Sequence, residues 1–119
     1  MANVLVIDAH PEWRSRIAAV LEEDGHTARM ARDGVQGLQE AATSLPDLVV
    51  MDVRLPAMDG LDVMSRLLDR YRKLPIVLHT DCVATRDNFM SWCADAFIAK
   101  EPQLLELRRT VHDLVGQPG

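Results

Sequence analysis

Four short apolar runs, each stopping at a polar residue, constrain this chain most. They are Val4-Leu5-Val6-Ile7 before Asp8, Leu48-Val49-Val50-Met51 before Asp52, Ile76-Val77-Leu78 leading to Thr80, and Ala96-Phe97-Ile98-Ala99 before Lys100. Runs that are apolar at every position suit parallel strands covered on both faces. His26 to Met30 reads as a weaker fifth strand nearer an edge. Between the runs the apolar period becomes helical. Trp13, Ile17, Val20 and Leu21 share a face that follows Pro11 and stops at Asp24-Gly25. Val35, Leu38, Ala42 and Leu45 form a second face closed by Pro46, and Leu61, Met64, Leu67, Leu68 and Tyr71 a third with Asp59 as N-cap. The stretch from Val83 to Trp92 reads as a fourth helix, and Leu104, Leu107, Val111 and Leu114 as the face of a fifth. Five strands alternating with five helices predict one α/β domain, a parallel sheet with helices on both faces.

The 119 residues suffice for one such domain. Basic residues number 13 and acidic residues 18, a net charge of −5, which argues against direct nucleic-acid binding because phosphate backbones need a basic footprint. No apolar run approaches the roughly 18 residues of a membrane span. The start lacks the basic region of a signal peptide. Two cysteines, Cys82 and Cys93, are too few for a disulfide framework and read as small packing residues. A reduced, cytoplasmic protein is expected.

Open α/β sheets place their sites beyond the carboxyl ends of the strands. Asp8, Asp52, Thr80 and Lys100 all fall there. Two carboxylates, a hydroxyl and an ammonium on one patch can take up a phosphoryl group: a carboxylate as nucleophile, a carboxylate-held divalent cation to neutralise charge, and Lys and Thr to meet the phosphoryl oxygens. Each residue alone has a plainer reading. Asp8 can cap the helix near Pro11, Thr80 can be an ordinary end-of-strand hydroxyl, and Lys100 a solvated lysine. The set of four is more informative than any member. His79, inside an apolar strand, reads as a hydrogen-bonded core histidine. Trp13 reads as core or half-buried packing.

The chain resembles the response regulator receiver domain of two-component signalling from about Asn3 to about Val115. Val4-Leu5-Val6-Ile7-Asp8 with Pro11, Pro46 to Asp52, Asp52-Val53-Arg54-Leu55-Pro56-Ala57-Met58-Asp59-Gly60, Pro75 to Thr80 and Ala94 to Lys100 carry the resemblance. It implies a doubly wound, flavodoxin-like domain over residues 1–116, strand order 2-1-3-4-5, with 117–119 a tail or linker stub. It implies Asp52 as phosphoacceptor, Thr80 bonding the phosphoryl oxygen and Lys100 pairing with it, with Phe97 as the aromatic switch. Asp8, Asp52 and the backbone carbonyl of Arg54 would hold Mg²⁺. Partners would be a histidine kinase or phosphotransfer protein, a downstream protein or effector domain, and a second copy of the chain, in a homodimer through the fourth and fifth helices. Such a chain is a signalling domain, at most phosphorylating and dephosphorylating itself.

Three departures stand out. Ala9 occupies the position where the family carries its second acid, so weak Mg²⁺ binding and slow or absent phosphorylation are expected. His10 is a poor substitute for that acid, since imidazole is a softer ligand than Mg²⁺ prefers. Asp81 follows Thr80 where a small residue is usual, and either repels the phosphoryl or points to solvent. Lys100-Glu101-Pro102 displaces the usual proline, so a trans bond is expected before Glu101 and Lys100 need not sit as in the family. A pseudo-receiver that binds a partner without metal-dependent phosphorylation is therefore the competing reading. Readings as an enzyme or cofactor carrier lack their marks. Ala9-His10-Pro11-Glu12-Trp13 offers neither the Ser/Thr/Gly-rich loop of a flavodoxin nor a dinucleotide Gly-rich turn. Arg54 stands where a haloacid-dehalogenase-like phosphatase needs a second aspartate.

Overall fold

A computed structural model describes residues 2–81 and 93–115. The elements are β1 (Asn3–Ile7), α1 (Pro11–Glu23), β2 (Thr27–Ala31), α2 (Gly34–Thr43), β3 (Leu48–Met51), α3 (Gly60–Arg70), β4 (Ile76–Thr80), β5 (Ala96–Ala99) and α4 (Leu105–Val115). All five strands are parallel, in the order β2-β1-β3-β4-β5. The four apolar runs became β1, β3, β4 and β5, and the weaker run became the edge strand β2. Four helices lie among the described residues. The helix expected over Val83 to Trp92 falls outside them, as do Cys82 and the 117–119 tail.

Two apolar layers hold the sheet. Leu5, Ile7, Val49, Met51, Ile76 and Leu78 face α2 and α3, joined there by Val63, Met64 and Leu67. Val4, Val6, Val50, Val77 and Ile98 face the other way, onto Ile17 and Leu21 of α1 and Leu107 and Val111 of α4. Alternate residues of each central strand therefore enter opposite layers, which is why residues 4–7, 48–51 and 76–78 are apolar at every position.

Two helical readings need correction. The buried residues of α2 are Gly34, Gly37 and Ala41, whereas Val35 and Leu45 are exposed. Small residues let this helix approach the sheet so closely that a Cβ on Gly37 would collide with Ile7. The larger side chains are left at its flank. In the last helix, Leu104 does not open the face. It precedes α4 with a left-handed φ of 57° and is buried against the α1 side. Elsewhere the local signals hold. Gly25, at φ 93°, takes the left-handed turn after α1. Asp59 caps α3 by accepting from Leu61 N at 2.8 Å.

Gly60 couples α3 to the end of β3. Its N–H donates to the Val53 carbonyl at 2.8 Å. A Cβ there would lie 2.7 Å from Val53 Cα and closer still to the Asp52 carbonyl oxygen. These are backbone atoms and cannot swing aside. Gly60→Ala is expected to cost about 1–3 kcal/mol through overpacking, read by urea unfolding. A cost near zero would show that the segment after β3 yields freely.

Candidate functional site

The parallel register sets the site. Ile7 pairs with Met51, so the next residues, Asp8 and Asp52, emerge side by side. Thr80 ends β4 opposite Ala99, and Lys100 follows. Backbone bonds carry the strands' order past their ends: Asp52 N to Ile7 O at 3.0 Å and Lys100 N to Thr80 O at 3.1 Å.

Lys100 Nζ lies 2.9 Å from Asp8 Oδ2 and 2.8 Å from Asp52 Oδ2, with all three side chains almost wholly buried. Lys100 thus keeps its expected place although Glu101 separates it from Pro102, and the Lys100–Glu101 bond is trans. Asp52 also takes the Arg54 N–H at 3.1 Å and a hydrogen bond from the Thr80 hydroxyl. Burial pushes the Asp52 carboxyl up. The Lys100 and Thr80 hydrogen bonds, the Lys100 charge and the Arg54 N–H outweigh it and hold the group below the ordinary 3.8. Burial likewise pulls Lys100 down, but its bonds to Asp52 and Asp8 keep it above the ordinary 10.5. The Lys100 ammonium thus lies between the Asp8 and Asp52 side chains.

Of the trio, Asp52 lines a cleft, together with Ala9, His10, Arg54, Leu55, Pro56, Thr80 and Asp81. Asp8 does not cap α1. His10 is the N-cap residue, and Asp8 Oδ1 accepts from its N–H at 2.8 Å, with His10 Nδ1 3.3 Å away. One ligand atom each from Asp8, His10 and Asp52 falls within 4.8 Å of the others. Asp81 is exposed at the cleft rim. Phe97 on β5, beside Leu78, is half-buried against the layer of α2 and α3. Cys93 is exposed rather than packed.

Sequence reasoning missed the role of Trp13. Its ring centroid lies 5.1 Å from Lys100 Nζ and its ring meets His79 edge-on at 5.6 Å. Its place one turn into the helix after Asp8 was the available signal. His79 is buried as expected, but neither ring nitrogen has a hydrogen-bond partner. The residue packs through its ring edge, and an expected hydrogen bond is replaced by contact with Trp13.

This arrangement is a strand-end pocket of two carboxylates, a lysine and a threonine on a doubly wound sheet. The family model of the response regulator receiver domain matches residues 4–112, and the chain belongs to that family. It is 35% identical over 107 residues to the response regulator MprA of Mycobacterium ulcerans, covering 88% of this chain and 46% of that protein. The chain spans about half the length of the curated relatives it matches. The response regulator TrrA of Thermotoga maritima, crystallised in complex with Mg²⁺-BeF, is 29% identical, with a TM-score of 0.93 over 97% of this chain and 100% of that one. The complex of histidine kinase ThkA with TrrA holds a chain matching at a TM-score of 0.90 and 29% identity, covering 97% and 99%. The chain is accordingly a signalling receiver of the two-component type.

Burial, and next the Lys100 charge, lower the His79 pKa to about 4. The folded ring stays neutral, while the unfolded ring gains a proton near its ordinary 6.5. This contribution to stability is complete above pH 6.5 and is lost as pH falls toward 4, about 3 kcal/mol in all. In His79→Leu, the loss of stability between pH 7 and pH 4 is expected to shrink by that order, measured by urea unfolding at each pH. An unchanged loss would contradict a buried neutral ring.

Proposed function

We propose that the chain accepts a phosphoryl group on Asp52 from a histidine kinase or phosphotransfer protein. The buried, ionised Asp52 carboxylate, bonded by Lys100 and Thr80 at the mouth of a cleft, carries this reading. An Asp52 oxygen forms the bond to phosphorus as the P–N bond to the donor histidine breaks. The departing imidazole keeps the electron pair and takes a proton from solvent. Lys100 stands ready to pair with the phosphoryl oxygens, and the Thr80 hydroxyl exchanges Asp52 for one of them. The consequent shift of Thr80 reaches Phe97 across β4 and β5, and the altered surface is read by a downstream protein, an effector domain or a second copy of the chain. The candidate contact elements for that copy are α4 and the stretch 83–92.

Two buried carboxylates at a cleft fit a divalent cation, since Mg²⁺ is commonly held by one or two carboxylates and keeps several waters. Asp8, Asp52 and the Arg54 carbonyl would hold it. When bound it neutralises charge on the transferring phosphoryl group. Ala9 supplies neither ligand nor charge, so Mg²⁺ would be held weakly. Among the described residues no helix is long and apolar enough to cross a membrane.

Ala9 also favours a second reading, a pseudo-receiver that binds its partner without phosphorylation. Incubation with a small acyl phosphate and Mg²⁺, followed by intact mass, separates the two. One phosphoryl is expected on the wild-type chain and none on Asp52→Asn. Ala9→Asp is expected to tighten Mg²⁺ binding and speed the gain. No gain even with a cognate kinase would establish the pseudo-receiver. Unchanged Mg²⁺ affinity in Ala9→Asp would contradict the role given to Ala9.

A further inference from the structure

The cleft holds a ligand atom that the receiver pattern does not call for. An N-cap side chain ordinarily accepts a hydrogen bond from the first turn of its helix. His10 makes no such bond to α1. Its ring turns back to the strand end, placing Nδ1 3.3 Å from Asp8 Oδ1. Asp8 and Asp52 are buried, whereas the His10 side chain is 61% exposed. The carboxylates are therefore fixed by their surroundings, and the imidazole is a third arm that can adjust. The three ligand atoms lie within 4.8 Å of one another, so a small turn of the exposed imidazole brings them around one cation.

Charge and donor type then decide which cation gains. Lys100 cancels one of the two carboxylate charges. Ala9 restores none, so a hard oxygen-seeking ion such as Mg²⁺ loses attraction. A borderline ion gains a nitrogen donor instead. Imidazole with carboxylates suits Zn²⁺ and its neighbours, whereas Mg²⁺ favours oxygen alone. Three protein ligands with a further position open to the cleft is a common zinc arrangement. The exposed ring can carry its proton on Nε2 in solvent and leave Nδ1 free to bind.

We infer that Asp8, His10 and Asp52 form a mixed nitrogen–oxygen site that selects an imidazole-binding divalent cation of the Zn²⁺ class over Mg²⁺. His10 Nδ1 is the ligand that sets the preference. The inference rests on reading this cleft as the receiver's cation site, but it concerns which cation enters, not whether Asp52 is phosphorylated.

Calorimetric titration of the full chain with Zn²⁺ and, separately, Mg²⁺ tests it without any phosphodonor. His26, His112 and the cysteines can also take Zn²⁺, so variants locate the site. His10→Ala preserves the fold, because the side chain is exposed and caps nothing, and its thermal melt should match the wild type. The wild-type chain is expected to bind one Zn²⁺ more tightly than Mg²⁺. Losing an outer-shell partner alone typically weakens metal binding about 10–100-fold, so His10→Ala should weaken Zn²⁺ by about tenfold or more while Mg²⁺ changes by less than about twofold. Asp52→Asn should weaken the same Zn²⁺ site. Tighter Mg²⁺ than Zn²⁺ in the wild type, unchanged Zn²⁺ affinity in His10→Ala, or an equal loss of both ions would overturn the inference. A chain that prefers Zn²⁺ yet gains no phosphoryl would refute the phosphoacceptor reading alone.

Discussion

A single ammonium set between two buried carboxylates organises the carboxyl edge of the sheet. Lys100 Nζ touches Asp8 and Asp52 at 2.9 and 2.8 Å, and none of the three side chains has appreciable access to solvent. Removing the ammonium would leave two like charges buried together, a loss of about 3–5 kcal/mol for a broken buried pair. The trio draws in the end of β1, the end of β3 and the residue after β5. The register of a parallel sheet thus does more than bury apolar surface: it fixes where these charges meet.

The same trio links packing to chemistry. Trp13 of α1 covers Lys100 on one side and meets His79 on the other. The Asp52 carboxyl stays below its ordinary pKa because the Lys100 and Thr80 hydrogen bonds outweigh the burial that pushes it up. Gly60 lets α3 begin close against the Asp52 backbone. The Asp52 carboxyl is therefore held from three directions while one side stays open to the cleft. Ala9 leaves that open side short of one acid, and His10 faces it with a nitrogen instead.

The strands were the most legible part of the sequence. Val4 to Ile7 and Leu48 to Met51 are apolar at every position because both faces of each strand are covered, and their alternation with helical periods is what marked them as strands. The polar stops after those runs marked Asp8, Asp52 and Lys100 correctly, since register carries adjacent strand ends to adjacent points. Side-chain size misled the reading of α2. Val35 and Leu45 have the right period, but Gly37 sets the approach of α2 to the sheet and Gly34 its approach to α3, which period analysis ignores. Leu104 misled for a related reason: an apolar residue fits both the first turn of a helix and a left-handed residue ahead of it. His79 showed as core, but its missing hydrogen bond and its contact with Trp13 depend on tertiary placement. Contacts of that kind leave no periodic trace.

The central claim is that Lys100 keeps Asp52 ionised against its own burial. The Asp52 carboxyl pKa, followed by carbon-13 NMR of its side chain in the wild-type chain and in Lys100→Met, tests it most directly. The account predicts a wild-type value below the ordinary 3.8 and a rise of about one unit or more in the variant. The same value in both chains would contradict it.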